Sequence, residues 1–288
     1  MSTGALLATH AFLATPADDR IVAGLYTGIG RDDIYREDYL GGLLGGPALN
    51  RTDPMEHLIA RTITPETLER VAAEFDRGRR LFVARPTWTT TRSGSSRSAR
   101  SPSTGGEEGL DLYRKVLRAA ASPPILFPPV EIAGHLFADA AVRENLLLMG
   151  LLGGGAEPRA RPPATVGRFY VIENGSSERP PTAVADRLTG IAGHTVSEAL
   201  TSRMHTTLVL AYAGARLHGY GFNLASIPRD VPVSGQPLAF DPAEMRRVYA
   251  AGFKLGRSPD PWVHAPPESD LIGPWTLKLF DHLDRLYR

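Results

Sequence analysis

A serine near the start of the chain stands where a nucleophile could be activated. The chain opens MSTGALLATHAFL, in which Ser2 precedes a run with helical spacing and Gly4 follows two positions later. A nucleophilic serine on a sharp turn into a helix needs a small residue at that distance, because the turn brings the neighbouring backbone close. The amino end of the helix would point free N–H groups and a partial positive charge at the serine. The N–H groups of Thr3 and Gly4 could then hold an oxyanion.

A second candidate for chemistry is Asp139, a carboxylate expected at the end of a strand and followed by small residues. A carboxylate within about 3 Å of a serine hydroxyl can orient it and accept its proton without a histidine. A plainer interpretation stays open, in which Ser2 is only a terminal residue or helix cap and Asp139 only ends a hairpin. A third interpretation also stays open. In it Met1 is removed, and Ser2 is a terminal nucleophile whose own amine is the base.

The rest of the composition excludes several other chemistries. The 288 residues include no cysteine, so thiolate metal sites and a cysteine nucleophile are excluded. The eight histidines lack metal-ligand spacing, neither HExxH nor a GxxxxGKS/T loop occurs, and GIGRDD at Gly28 lacks the third glycine of a dinucleotide fingerprint. We therefore expect no metal and no cofactor. His57, His205, Tyr212 and Tyr220 could line a cavity, although core or surface positions are the plainer interpretation.

The overall charge and hydropathy limit the partners. Because 32 basic residues face 31 acidic ones, no global field favours nucleic acid. No apolar run reaches the roughly 18 residues of a membrane span, and Leu146–Ala156 is cut by glycines. No basic residue precedes the apolar amino end, which argues against a secretory signal. We expect a cytoplasmic protein whose membrane contact would be peripheral, and the oligomeric state leaves no trace in the sequence.

Short helices and strands alternate along the chain. Gly4–Leu13 is apolar on every side, which predicts a buried helix. Thr64 before Pro65 predicts a capped helix start, with Glu66 and Glu69 at its positive end. Further along we predict a strand at Arg79–Ala84, a helix from Leu110, a β-hairpin of Val130–Ile132 and His135–Ala138, a strand at Arg168–Ile172, two helices within Thr182–Gly219, a strand at Phe222–Ser226 and a helix from Asp241.

This order of elements predicts the fold class. Strands separated by helices favour an α/β layer fold with a largely parallel sheet. No convincing boundary divides the chain, so we predict one domain over residues 1–288.

Residues 85–104 interrupt the pattern. They contain four arginines, six serines, five threonines and no acid. Such a segment cannot bury enough apolar surface to offset its ordering entropy, which predicts a disordered or irregular loop. Two alternatives are a basic patch that binds phosphate and a stretch translated out of frame.

Several segments, taken in order, resemble the patatin-like phospholipase family, whose members hydrolyse acyl esters with a catalytic Ser and Asp pair. STGALLATHAFL resembles the helix after that family's GxSxG elbow, and GRRLFVA resembles the following strand. KVLRAAASPPILFPPVEI is similar to its Ser-x-x-Pro segment, GHLFADAAVRENLLL to its Asp-Gly-Gly turn and helix, and RFYVIENG to its next strand. The similarity spans Ser2–Phe253, and it implies a three-layer fold with a central, mostly parallel sheet.

The resemblance also implies an activity. It identifies the chain as a serine acyl-ester hydrolase of lipid metabolism, with a lipid or similar acyl ester as substrate. Ser2 would be the nucleophile and Asp139 the general base. Thr3 and Gly4 would be the elbow residues that hold the oxyanion.

The sequence departs from the family pattern in two places. The family has Asp-Gly-Gly where this chain has Asp139-Ala140-Ala141, and the added methyl groups could crowd a turn that needs glycine torsions. Asn145, at the start of the next helix, could fix this turn or only cap the helix. The elbow strand and a glycine-rich oxyanion loop would precede Ser2, so we expect an N-terminally incomplete domain. The alternative to a hydrolase is therefore a catalytically impaired or inactive remnant that binds or regulates.

Overall fold

The computed structural model describes residues 3–83, 106–139, 167–175, 188–217, 219–234 and 238–267. These residues form two compact units. The described residues up to 139, together with 238–249, belong to the first unit, and the others belong to the second.

The first unit is mostly helical and contains two small antiparallel sheets. Its helices are α1 (Thr3–Leu13), α2 (Pro16–Thr27), α3 (Tyr39–Leu43), α4 (Asp53–Thr62), α5 (Pro65–Asp76) and α6 (Glu107–Ala120). Its strands are β1 (Arg36–Glu37), which pairs with β2 (Asn50–Arg51), and β3 (Val130–Ile132), which pairs with β4 (His135–Phe137). As its apolar sequence predicts, α1 packs against other helices, namely α2, α5 and α6, although Gly4 and Ala11 stay exposed.

Capping chemistry starts α5 where the sequence predicts it. The Thr64 hydroxyl oxygen accepts a hydrogen bond from the N–H of Thr67 at 3.3 Å, and the Thr67 hydroxyl oxygen accepts one from the N–H of Thr64 at the same distance. Pro65 occupies the first turn, where its missing N–H costs nothing. Hydrogen bonds to Thr64 and to the helix backbone lower the pKa of Glu66. The threonine–proline pair is therefore confirmed as a helix start.

The predicted hairpin is confirmed, with β4 ending at Phe137, one residue before the predicted Ala138. Its two turn residues, Ala133 and Gly134, have φ of 51° and 74°. Positive φ at both central residues is typical of the tight turn that matches the twist of a two-stranded ribbon. Phe137 is buried in the core of the first unit together with Leu117 of α6.

The second unit contains a parallel strand pair joined through a long helix. Its elements are β5 (Arg168–Ile172), α7 (Leu188–Leu217) and β6 (Gly221–Ala225). The two strands are in parallel register from Arg168 beside Gly221 to Ile172 beside Ala225, which confirms both predicted strands. A core of apolar residues lies between α7 and β6: Leu208, Ala211, Tyr212, Ala215, Phe222 and Leu224.

The last described helix is α8 (Pro242–Gly256). Its start is confirmed at the predicted Asp241, whose carboxylate accepts a hydrogen bond from the N–H of Glu244 at 2.7 Å.

The predicted strand at Arg79–Ala84 is wrong over its described part, because residues 79–83 form no strand. Arg79 instead donates to the Glu74 carboxylate at 2.9 Å, and its guanidinium lies 4.4 Å from the centre of the Phe12 ring. Arg80 donates to the carbonyl of Phe75 at 2.7 Å. These contacts tie the segment to the end of α5 rather than to a neighbouring strand.

The two helices predicted within Thr182–Gly219 are wrong as well, because residues 188–217 form the single helix α7. No proline interrupts this stretch, so nothing in its backbone chemistry forces a break. Its carboxyl-terminal half is held against β6 by the apolar core of the unit.

The fold class is α/β, since helices combine with small sheets that include a parallel pair. The described residues form three two-stranded sheets. A three-layer arrangement around one central, mostly parallel sheet therefore stays a prediction. Residues 85–104, with the loop and its alternatives predicted there, lie outside the described residues.

Candidate active site

Asp139 lies directly after the hairpin, at a buried position. Its exposed fraction is 2%, and the preceding Ala138 is equally buried. The N–H of Asp139 donates to the carbonyl of Ser122 at 2.8 Å. This bond fixes the backbone that carries the carboxylate to the segment that follows α6.

Ser122, which the sequence pattern did not single out within the segment similar to Ser-x-x-Pro, holds the backbone of Asp139. Its side chain is fully buried, and its hydroxyl donates to the carbonyl of Arg118 at 2.8 Å, one turn back in α6. The carbonyl of Ser122 accepts the hydrogen bond from the N–H of Asp139. The signal in the sequence is a serine between a helix end and two prolines, which cannot continue a helix.

The amino end of α1 starts at Thr3, directly after Ser2 in the chain. The first N–H groups of a helix have no partner within it, so those of Thr3 and Gly4 are available to an anion. No atom of the described residues lies within 4 Å of a Cβ built at Gly4, so the close backbone approach expected there is not seen among them. Ala5, the next residue, is buried in the same core as Phe137.

Four of the predicted site residues lie outside the described residues: Ser2, Ala140, Ala141 and Asn145. The pairing of Ser2 with Asp139 and the turn after Asp139 therefore stay predictions. Two described segments adjoin these residues in the chain. They are the start of α1, which follows Ser2, and the end of the hairpin, which precedes Asp139.

A second buried carboxylate of the first unit, Asp18 at the start of α2, is held by an ion-pair network. It accepts hydrogen bonds from the Thr15 hydroxyl at 2.5 Å and from the Arg70 guanidinium, and it lies 2.9 Å from Nδ1 of His10. The side chains of Asp18 and His10 are 0% and 1% exposed. Nε2 of His10 is buried and has no hydrogen-bond partner among the described residues. This network joins α1, α2 and α5.

The network sets the titration of Asp18. Burial alone would raise the pKa of this carboxyl, but hydrogen bonds from Arg70, Thr15 and His10 and the charge of Arg70 hold the pKa well below its usual range. Asp18 is therefore ionised and committed to structural partners. Its role is to lock the helices that position the amino end of α1.

His10 belongs to the Asp18 network and lies away from the start of α1. It lies seven residues after Thr3 on α1, which is about 10 Å along a helix. Its ring is committed to Asp18.

Large apolar side chains are exposed near the loop that leads to Asp139. We call this group the Leu40 surface; it consists of Tyr39, Leu40, Leu44 and Ile125, with exposed fractions of 53%, 77%, 87% and 72%. Leu40 and Leu44 are four residues apart on one turn, since the N–H of Leu44 donates to the carbonyl of Leu40. Soluble proteins seldom leave neighbouring apolar groups this open without a partner.

Glycines keep the Leu40 surface compact. A Cβ at Gly42 would lie 2.6 Å from the carbonyl oxygen of Ala48, and one at Gly46 would lie 2.6 Å from that of Gly41. Such approaches are closer than real Cβ atoms make, so the GGLLGG stretch folds back on itself only with glycine at these positions.

Backbone hydrogen bonds connect the Leu40 surface to the Asp139 loop. Asp38 donates to the carbonyl of Leu49, and Leu49 donates to that of Ile125, each at 2.9 Å. Ile125 has φ of 72°, a left-handed conformation that is strained for a β-branched residue. Only two residues separate it from Ser122, which holds Asp139. Ile125, one member of the Leu40 surface, thus lies in the same loop as Ser122, whose carbonyl accepts the N–H of the buried Asp139.

Within the described ranges, no group of three or more histidine, aspartate or glutamate side chains could hold a metal ion. None of the helices in those ranges combines the length and the apolar character needed to cross a membrane.

The family comparison matches the part of the chain that contains α1 and the hairpin before Asp139. The model of the patatin-like phospholipase family matches residues 1–152, just over half of the 288 residues. Searches of curated proteins and of solved structures found no match. The matched range includes both Ser2 and Asp139.

Proposed function

Because the chain belongs to the patatin-like phospholipase family, we propose that it is a lipid acyl hydrolase with Ser2 as nucleophile and Asp139 as general base. The observation that carries the proposal is the family match over residues 1–152, which contains both residues. The buried Asp139 at the end of a hairpin, next to the core that also holds Ala5 of α1, supports the pairing.

The proposed reaction has two steps. In the first, the Ser2 hydroxyl attacks the ester carbonyl while Asp139 takes its proton, and the carbonyl oxygen gains negative charge held by the N–H groups of Thr3 and Gly4. Asp139 then gives the proton to the leaving alcohol, which leaves an acyl-serine. In the second step Asp139 takes a proton from water, the resulting hydroxide attacks the acyl carbonyl, and the proton returns to Ser2 as the fatty acid leaves.

The test is release of fatty acid from a phospholipid by the purified full chain, together with turnover of p-nitrophenyl butyrate. We expect both activities, and we expect both to disappear in a Ser2→Ala protein. A Ser258→Ala protein is the matched control, because among the described residues that hydroxyl bonds only the carbonyl of Leu255. Absence of turnover in the unaltered chain would favour the inactive remnant over the hydrolase.

We propose that the Leu40 surface is the part of the enzyme that meets the lipid. Its side chains are apolar and exposed, and the backbone bonds of Leu49 lead from it to the loop that holds Asp139. Burying a leucine side chain contributes about 1.5–3 kcal/mol. A surface of this composition can therefore draw the protein onto a bilayer or onto the acyl chains of a single lipid.

A double Leu40→Ser, Leu44→Ser protein should partition onto phosphatidylcholine vesicles on the order of 10² times more weakly than the unaltered chain, because two apolar contacts are lost. Co-sedimentation with the vesicles measures this ratio. Leu112→Ser is the matched control, since Leu112 on α6 is 44% exposed and lies outside the Leu40 surface. Equal sedimentation of the double variant and the unaltered chain would contradict the assignment.

A further inference from the structure

Helix α8 is covered along one side only. None of its residues is fully buried. Met245, Val248 and Leu255 are spaced by three and seven residues, which puts them on one face of the helix, and all three are half-buried. The opposite face is exposed and includes Ala243 and Ala250. The helix therefore keeps one long side at the surface of the protein.

This exposed face carries positive charge. Arg246 and Lys254 lie on it about two turns apart, and Arg257 follows Lys254 by three residues. Arg257 stands just after the helix end, where its N–H donates to the carbonyl of Lys254 at 3.3 Å and continues the last turn. The three cations span about 17 Å along the helix axis. Arg247 is exposed as well, but it already interacts with another group of the protein.

The described part of the chain leaves the charge of these three cations in place. Arg246 donates to the carbonyl of Thr27 at 3.5 Å, a neutral acceptor. Neither Arg246 nor Lys254 nor Arg257 forms an ion pair with an acid of the described residues. Their charges are therefore open to a partner.

The acids close in sequence do not cancel this charge. Glu244 is the one acid within α8, and it is half-buried rather than on the exposed face. Asp241, before the helix, accepts the N–H of Glu244 at 2.7 Å, and Asp260 accepts the N–H of Trp262 at 3.4 Å. Even with the exposed Asp260 beside it, the face carries more positive than negative charge.

An aromatic ring lies among the cations. Phe253 is 57% exposed, and it follows Arg246 by seven residues and precedes Arg257 by four, so the three share one side of the helix. The guanidinium of Arg257 lies 5.6 Å from the centre of the Phe253 ring. Basic side chains beside an exposed phenylalanine are typical of helices that lie on a bilayer, where the charges meet headgroups and the ring meets the acyl boundary. We call Arg246, Phe253, Lys254 and Arg257 the Arg257 face.

We propose that the Arg257 face binds the surface of a bilayer that contains anionic lipid. The formal net charge of the whole chain is only +1, so the attraction is local to this face. Each cation near an anionic bilayer strengthens binding roughly fivefold. A nucleic acid or an acidic protein would meet the same charges but would leave the Phe253 ring without a role.

This binding goes beyond the proposed hydrolysis and does not depend on it. The Leu40 surface is apolar and does not distinguish lipids by headgroup charge. The Arg257 face does distinguish them, because its cations favour a negative headgroup over a zwitterionic one. The proposal therefore concerns which bilayers the protein selects.

The test is co-sedimentation of the full chain with vesicles of ether-linked lipids, which contain no acyl ester to cleave. Phosphatidylcholine vesicles are compared with vesicles of phosphatidylcholine mixed with phosphatidylserine. We expect tighter binding to the mixed vesicles. We expect this preference to shrink as salt is raised, because the screening length falls to about 3 Å at 1 M.

Two double variants of equal net charge locate the attraction. Lys254→Gln with Arg257→Gln should weaken binding to the mixed vesicles roughly 30-fold, because two cations are lost from the face. Arg20→Gln with Arg61→Gln is the matched control, since it removes two exposed cations from α2 and α4 and should bind like the unaltered chain. Circular dichroism checks that each variant is folded.

Phe253→Ser keeps every charge and should weaken binding to the mixed vesicles at least about fivefold, because the ring no longer enters the bilayer. Leu112→Ser is again the matched control, as an exposed apolar residue of α6. A folded Phe253→Ser protein that binds like the unaltered chain would overturn the proposal and indicate a polyanion, such as a nucleic acid, as the partner.

Two further results would also overturn the proposal: equal binding of the unaltered chain to both kinds of vesicle, and equal binding of the two double variants to the mixed vesicles. A Ser2→Ala protein should bind the mixed vesicles like the unaltered chain, which separates this proposal from the proposed hydrolysis. The Leu40→Ser, Leu44→Ser protein should keep its preference for the mixed vesicles, because it retains all the cations of the Arg257 face.

Discussion

Replacing Ser2 with alanine is expected to lower kcat/KM for p-nitrophenyl butyrate by at least about 10³-fold, and replacing Asp139 with asparagine by about 10²- to 10⁴-fold. The first change removes the attacking oxygen. The second keeps the shape of the buried side chain but removes its ability to take a proton. Because the two residues act as a unit, the double variant should be no slower than Ser2→Ala alone.

Glu131→Gln is the matched control for Asp139→Asn, since Glu131 is an exposed acid on β3 of the same hairpin. Its kcat/KM should stay within about twofold of the unaltered value. An Asp139→Asn protein that keeps full activity, combined with activity lost on acetylation of the terminal amine, would instead identify Ser2 as a terminal nucleophile with its own amine as base.

The second large effect is on stability. Asp18→Asn is expected to lower the free energy of unfolding at pH 7 by about 3 kcal/mol, because it leaves Arg70 and the buried His10 without their carboxylate. The value lies at the low end for a broken buried pair, since Arg70 is 42% exposed and water can partly replace the contact. Asp19→Asn, an exposed neighbour on α2, should change stability by less than about 0.5 kcal/mol.

The direction of the Asp18 pKa shift fixes how this difference depends on pH. The folded pKa lies below the unfolded value of about 4, so the carboxylate contributes stability above pH 4 and loses it as pH falls toward the folded pKa. The stability gap between the unaltered chain and Asp18→Asn should therefore narrow between about pH 4 and pH 3. Urea unfolding at pH 7 and at pH 3 measures the gap, and an equal gap at both values would contradict the assignment.

Local chemistry predicted the parts of the fold that depend on neighbouring residues. Thr64 before Pro65 marked the start of α5, because a capping oxygen and a fixed φ act within one turn. The hairpin around Ala133 and Gly134 followed from strand-forming residues on both sides of a short turn. These signals need no information about the rest of the chain.

The predictions that failed depended on distant contacts. Residues 81–83 are apolar enough for a strand, but Arg79 before them is held by the ring of Phe12, 67 positions away. The length of α7 is supported by its packing on β6 through residues such as Leu208 and Tyr212. Neither contact can be read from a window of a few residues.

The same limit applies to the candidate site. Asp139 was predicted at the end of the hairpin, where the structure has it, but its bond to Ser122 joins segments 17 positions apart. The ion pair of Asp18 with Arg70 spans 52 positions. The nucleophilic role of Ser2 rests on its place in the family pattern, and this role and the pairing with Asp139 both stay predictions.

The left-handed backbone at Ile125 stores conformational energy of about 1–3 kcal/mol in the loop that also holds Asp139. Uptake of that isoleucine by an acyl phase would offset this energy and favour the loop shape seen here. The same ester should then be cleaved faster above its critical micelle concentration than as dispersed monomers. We therefore expect Ile125 to couple the physical state of a lipid ester to the rate of its cleavage.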